Sequence, residues 1–127
     1  MQQNQLFEYA VIRMVPRVER EEFLNVGVVL YCAKQNFLKV LFEINYDRLQ
    51  AFCGKVKLPE MEENLLAFER NCKGGEGAGA IGKLDTASRF RWLTATRSTV
   101  VQCSKVHPGF CNNPEEALMK LFGQLVL

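Results

Sequence analysis

One histidine, His107, and five cysteines with no CxxC spacing are the only imidazole and thiol metal ligands in this chain. Structural zinc sites take their ligands at short, repeated intervals, so a zinc knuckle is excluded, and an odd cysteine count argues against a closed disulfide framework. A reducing cytosol is the setting that fits. Long apolar runs are also missing. No stretch approaches the roughly 18 residues of a membrane span, and the opening MQQNQL has no basic region ahead of an apolar one. Neither membrane insertion nor export is expected. Charge of one sign is scarce too: the formal net charge of +2 is too small to announce a polyanionic or membrane partner.

What is present suffices for a single domain over residues 1–127. A chain of 127 residues buries roughly two-thirds of its unfolded surface, and 48% hydrophobic with 24% charged residues is ordinary for a globular protein. Charge is uneven only locally: Lys83, Arg89, Arg91, Arg97 and Lys105 face Asp85 alone in their stretch.

The stretch from Phe7 to Ile44 holds three strand patterns. FEYAVIRMV (7–15) is apolar on both faces and reads as a central strand ended by Pro16. The charged connector RVEREEFLN (17–25) has room for a helical turn. VGVVLYC (26–32) is apolar throughout, and Gly27 signals a bulge or a close backbone neighbour. After the turn AKQN, the alternation of Leu38, Val40, Phe42 and Ile44 predicts a half-exposed strand and hence a hairpin.

Helix signals follow. Asn45 is placed to cap a short helix carrying Leu49 and Phe52, broken at Gly54. Pro59 opens a helix with an apolar stripe at Met61, Leu65, Phe68 and Cys72. KGGEGAGAIG (73–82) reads as a mobile loop. Asp85 to Ala95 fits either a helix capped by Asp85, with Phe90 and Leu93 inward, or a strand. Thr99 to Cys103 is the fourth strand, Val106 to Asn112 a loop, and Asn113-Pro114-Glu115-Glu116 starts a helix burying Ala117, Leu118, Leu121, Phe122 and Leu125. Clustered strands predict an α+β fold: a mostly antiparallel sheet of about four strands with helices packed on one face.

Several residue groups invite a chemical reading. Gly77, Gly79 and Gly82 spell GxGxxG, but a helix rather than a strand leads into them, so a nucleotide site is not indicated. Cys103 and Cys111 flank His107, yet cysteine is more often a buried hydrophobe than a nucleophile. No cofactor is called for. Arg13 is different, because it interrupts an apolar strand and must meet a carboxylate such as Glu22, a carbonyl or a ligand anion. In RFRWLTATRSTVVQ (89–102), arginines beside small hydroxyl residues suit an anion, and arginine near Trp92 suits single-stranded nucleic acid. The alternative places Trp92 and Phe90 in the core and the arginines on its rim.

Two blocks carry a resemblance. Tyr9-AVI-Arg13-MV-Pro16, continuing through Arg20, Glu22-Phe23 and Asn25-Val26-Gly27-Val28, and Arg89-Phe90-Arg91-Trp92-Leu93-Thr94-Ala95 with Arg97-Ser98-Thr99, Gln102, Ser104, Val106-His107 and Gly109, together resemble a bacterial family known as domain of unknown function 3037. Gly79-Ala80-Ile81-Gly82 fits as well. The chain departs from the family pattern at Glu21, where the family has glycine, and at Thr96 and Lys105, where it has prolines. The resemblance implies a prokaryotic cytosolic protein with no assigned activity and, as partner, a HipA-type kinase.

The expectation is therefore a non-catalytic binding or accessory protein working with a protein partner. The competing expectation is a factor or enzyme that uses an arginine-lined groove on a phosphate-bearing ligand or single-stranded nucleic acid. Its candidate binding residues are Arg13, Arg20, Glu22, Asn25, Arg91, Arg97, Ser98, Thr99, Gln102 and His107.

Overall fold

The computed structural model describes residues 4–16, 18–52, 58–95 and 100–127. Strand β1 (Gln5–Met14) runs through the middle of an antiparallel sheet, as its two apolar faces require. On one side it pairs with β2 (Leu24–Cys32), which forms a hairpin with β3 (Phe37–Phe42). The turn between them is a 3-10 segment, Ala33–Gln35, closed by Asn36 in the left-handed region. The other edge of β1 is shared end to end: β4 (Val101–Cys103) pairs with Ile12 to Met14, and β5 (His107–Cys111) with Gln5 to Tyr9.

Strand β5 replaces the loop expected over 106–112. Proline cannot donate to a ladder and glycine weakens one, which made the segment read as irregular. Both are accommodated at an edge. Because Pro108 stands opposite Glu8 without a donor, the bonded pairs of this ladder are Gly109 with Phe7 and His107 with Tyr9. Gly109 leaves room for the Phe7 ring, which lies 2.5 Å from where a Cβ would sit. Gly27 satisfies both of its expected roles. The register passes from Ile12↔Gly27 to Arg13↔Asn25, so Val26 is the extra residue of a β-bulge. A Cβ on Gly27 would also lie 2.6 Å from the Leu41 carbonyl oxygen.

The helices begin where the sequence marks them. Asn45 Oδ1 accepts from the Arg48 amide at 3.0 Å and starts α1 (Tyr46–Phe52). Helix α2 (Leu58–Lys73) buries Met61, Leu65, Phe68 and Cys72, the predicted stripe. The glycine-rich stretch after it is not an irregular loop. It folds into a 3-10 turn, Glu76–Ala78, and the four-residue α3 (Gly79–Gly82), with Gly82 buried against Gly75. Asp85 caps α4 (Thr86–Leu93) by accepting from the Ser88 amide at 2.8 Å, which settles this segment as helix, with Phe90 and Leu93 buried. Asn113 caps α5 (Pro114–Leu125), accepting from the amides of Glu115 and Glu116.

The fold is α+β, but the helices divide between both faces rather than gathering on one. Alternation along β1 sends Ala10, Ile12 and Met14 to a core shared with Leu49, Met61, Leu65, Phe68, Phe90 and Leu93. Phe7 points the other way, with Val28, Leu30 and Cys32 of β2, onto Leu118 of α5. A central strand that is apolar on both sides needs a cover on both sides, and α5 supplies the second. No helix among the described residues is long and apolar enough to cross a membrane.

Candidate functional site

The register of the sheet assembles part of the predicted set. Asn25 on β2, Arg13 on β1 and Gln102 on β4 lie directly opposite one another and form one cross-strand row on the α5 face. Two residues back along β1 on the same face comes Val11, and two further Tyr9, whose cross-strand partner is His107. The row is polar, whereas Phe7, Val11, Val28, Leu30 and Cys32 on the same face are apolar and buried. Asn25 Nδ2 donates to the carbonyl of Leu125, near the end of α5, at 3.1 Å. The guanidinium of Arg13 lies over the ring of Phe23, 4.0 Å from its centroid. Its Nε and the Oδ1 of Asn25 are buried and have no hydrogen-bond partner among the described residues.

Other predicted residues lie apart from this row. Glu22 bonds to Arg20, both exposed, and so is not the counter-ion of Arg13. Arg91 stands on the opposite face, where one of its terminal nitrogens donates to both oxygens of Glu8, at 2.7 and 3.0 Å, and ties α4 to β1. Arg97, Ser98 and Thr99 lie outside the described residues, and with them the joint groove of Arg13, Arg20 and Arg97. Of the aromatic residues weighed with these arginines, Phe90 is fully buried and stacks on Tyr31 at 5.3 Å, whereas Trp92 is 38% exposed. Arg89 donates to the Leu84 carbonyl at 2.8 Å and packs its guanidinium against Gly74, whose positive φ and missing side chain both admit it.

Two thiols, Cys72 and Cys111, are held in their neutral form. Burial pushes the Cys72 thiol up to about 12, against the opposing pull of Arg89. Burial, then the neighbouring Cys32, raises Cys111 as well. The ring of His107 packs against that of Tyr9 at a tilt of 37°, centroids 5.4 Å apart, and Cys103 Sγ donates to the Leu93 carbonyl at 3.5 Å. No group of three or more potential metal ligands forms among the described residues.

Among the described residues two hollows bear on the site. The larger, about 350 Å³, lies beyond the start of β2 between Leu24, Asn25, Glu43, Asn45, Arg48, Val126 and Leu127, with a single arginine in its wall. The smaller, about 130 Å³, is lined by Leu6, Glu8, Tyr31, Ala33 and Lys34. Beside it Leu6 and Phe110 form a cross-strand pair whose side chains are 53% and 70% exposed.

Sequence reasoning missed Ser104. Its hydroxyl accepts from the Val11 amide at 2.8 Å and its own amide donates to the Val11 carbonyl at 2.8 Å. It thereby carries the ladder across the break between β4 and β5. A small hydroxyl residue between two strand patterns on one edge is the signal that could have found it.

These features define a small α+β protein with an antiparallel sheet, both faces partly covered, and a polar row at one end. The chain belongs to the family described as protein of unknown function (DUF3037), whose family model matches residues 9–126. Comparison with curated proteins and with solved structures returned no match.

Proposed function

We propose that this chain is a non-catalytic binding or accessory protein that acts with a protein partner. The observation that carries this reading is the exposed pair Leu6–Phe110 beside the hollow at Tyr31 and Ala33. Two large apolar side chains on paired strands have their backbone already fixed, so covering them orders only the side chains and buries their apolar area. The backbone of β5 is poorly suited to adding a strand, because Pro108 turns its donorless nitrogen to the open edge. Side chains rather than main chain therefore form the contact. The Glu8–Arg91 ion pair borders the patch and supplies a polar rim.

The resemblance points to a HipA-type kinase as the first partner to test. Co-purification and titration with such a kinase would be compared for the wild-type chain and a Leu6→Ser/Phe110→Ser double variant. Apolar anchors of this kind carry about 2 kcal/mol or more, so the double variant should bind at least tenfold more weakly. Unchanged affinity in the double variant would remove this surface from the interface. Absence of any complex with the kinase would sink that choice of partner.

A further inference from the structure

We propose that the opposite face of the sheet, along β1, β4 and β5, is a binding strip for single-stranded nucleic acid. Helix α5 lies over β2, β3 and Phe7 of β1; Tyr9 packs at the edge of that core, Arg13 and Gln102 are half-buried like it, and His107 and Phe23 are exposed. The strip has two flat stations. At one, Tyr9 and His107 present rings 5.4 Å apart. At the other, the Arg13 guanidinium lies 4.0 Å from the centroid of Phe23. Four residues of β1 separate them, about 13 Å at the rise of an extended strand. That distance leaves a base room to stack at each station with its linking backbone between.

Charge favours a polyanion over a protein segment here. Among the described residues Arg13 forms no ion pair, Glu22 of the connector being bonded to Arg20, and its buried Nε has no partner. Lys105 stands exposed in the turn between β4 and β5, next to the exposed His107. Alternation places no acidic residue of β1, β4 or β5 on this face: Glu8 points to the other one, where it holds Arg91. Rings that stack on any base, with cations that follow the phosphates, make a sequence-tolerant site for a single strand. Duplex DNA, with its bases already stacked, cannot use the rings.

The test is fluorescence anisotropy of labelled oligothymidylate and oligouridylate with the wild-type chain, at low and at physiological salt, with duplex DNA as competitor. Single strands should bind in preference to duplex. Tyr9→Leu and Phe23→Leu, which keep apolar bulk but remove the ring, should each weaken binding on the order of tenfold, and Tyr9→Phe should restore it. Arg13→Gln should lower the salt dependence by about 0.7 in log–log slope, one phosphate contact on a single strand. Thermal melts of each variant separate lost binding from lost folding. No binding to either oligonucleotide, equal binding to duplex, or full binding by both leucine variants would overturn the proposal. So would a Phe23→Leu variant that binds no oligonucleotide differently but loses the protein partner. The Leu6–Phe110 variant lies on the other face and should leave oligonucleotide binding unchanged, which keeps the two proposals separable.

Discussion

Helices α2 and α4 seal one face of the sheet from Ala10 to Met14 with Phe90, Leu93, Leu65 and Phe68, leaving Leu6 and Phe110 exposed at its end, while α5 covers the other over β2, β3 and Phe7 of β1. On the sealed face every large side chain from Ala10 to Met14 meets an apolar partner. On the half-open face the same strand offers Tyr9, packed against His107, and Arg13, lying over Phe23. One strand thus serves two ends. Its sealed side stabilises the fold, and its other side carries the strip proposed above.

The contrast can be broken by mutation. Phe90→Ala on the sealed face should cost about 3–5 kcal/mol, because it leaves a cavity under Tyr31 that a rigid sheet cannot collapse to fill. Chemical denaturation measures this, and Tyr9→Leu on the open face, measured alongside, should cost far less. Equal losses would mean that the two faces are equally structural. Ser104→Ala should cost about 1–3 kcal/mol, since the Val11 amide loses its acceptor in a buried position. Hydrogen exchange at the Val11 amide should rise with it, and unaltered protection would show that the edge does not depend on this hydroxyl. The smallest effect is expected at the connector. Glu21 has φ of 57°, a left-handed conformation costly for a side chain, at the position where the family pattern has glycine. Glu21→Gly should therefore stabilise the chain by roughly 0.5–1 kcal/mol, read as a rise in melting temperature. A fall would show that the Glu21 side chain earns its strain through contacts.

Much of this architecture was legible before the structure. Asn45, Asp85 and Asn113 cap helices because short polar side chains reach the free amides of a first turn, a wholly local event. The stripe Met61, Leu65, Phe68, Cys72 is buried because helical period alone puts those residues on one side. Gly27 signalled its bulge by the same kind of local rule. Strand β5 was hidden, because Pro108 and Gly109 obey a rule about edges, and whether a segment lies at an edge depends on what pairs with it. Arg91 read as part of an anion site, whereas its neighbour Glu8 comes from a strand remote in sequence.

Local chemistry therefore determined the helix caps, the buried stripe of α2 and the α+β class, since each depends on residues a few positions apart, but not the strand β5 or the helical type of α4. Only the tertiary structure decided that the helices divide between two faces, that Ser104 completes the ladder, and that Asn25, Arg13 and Gln102 share a row. Those outcomes rest on strand register, and register is set by pairings between residues dozens of positions apart, which no local pattern encodes.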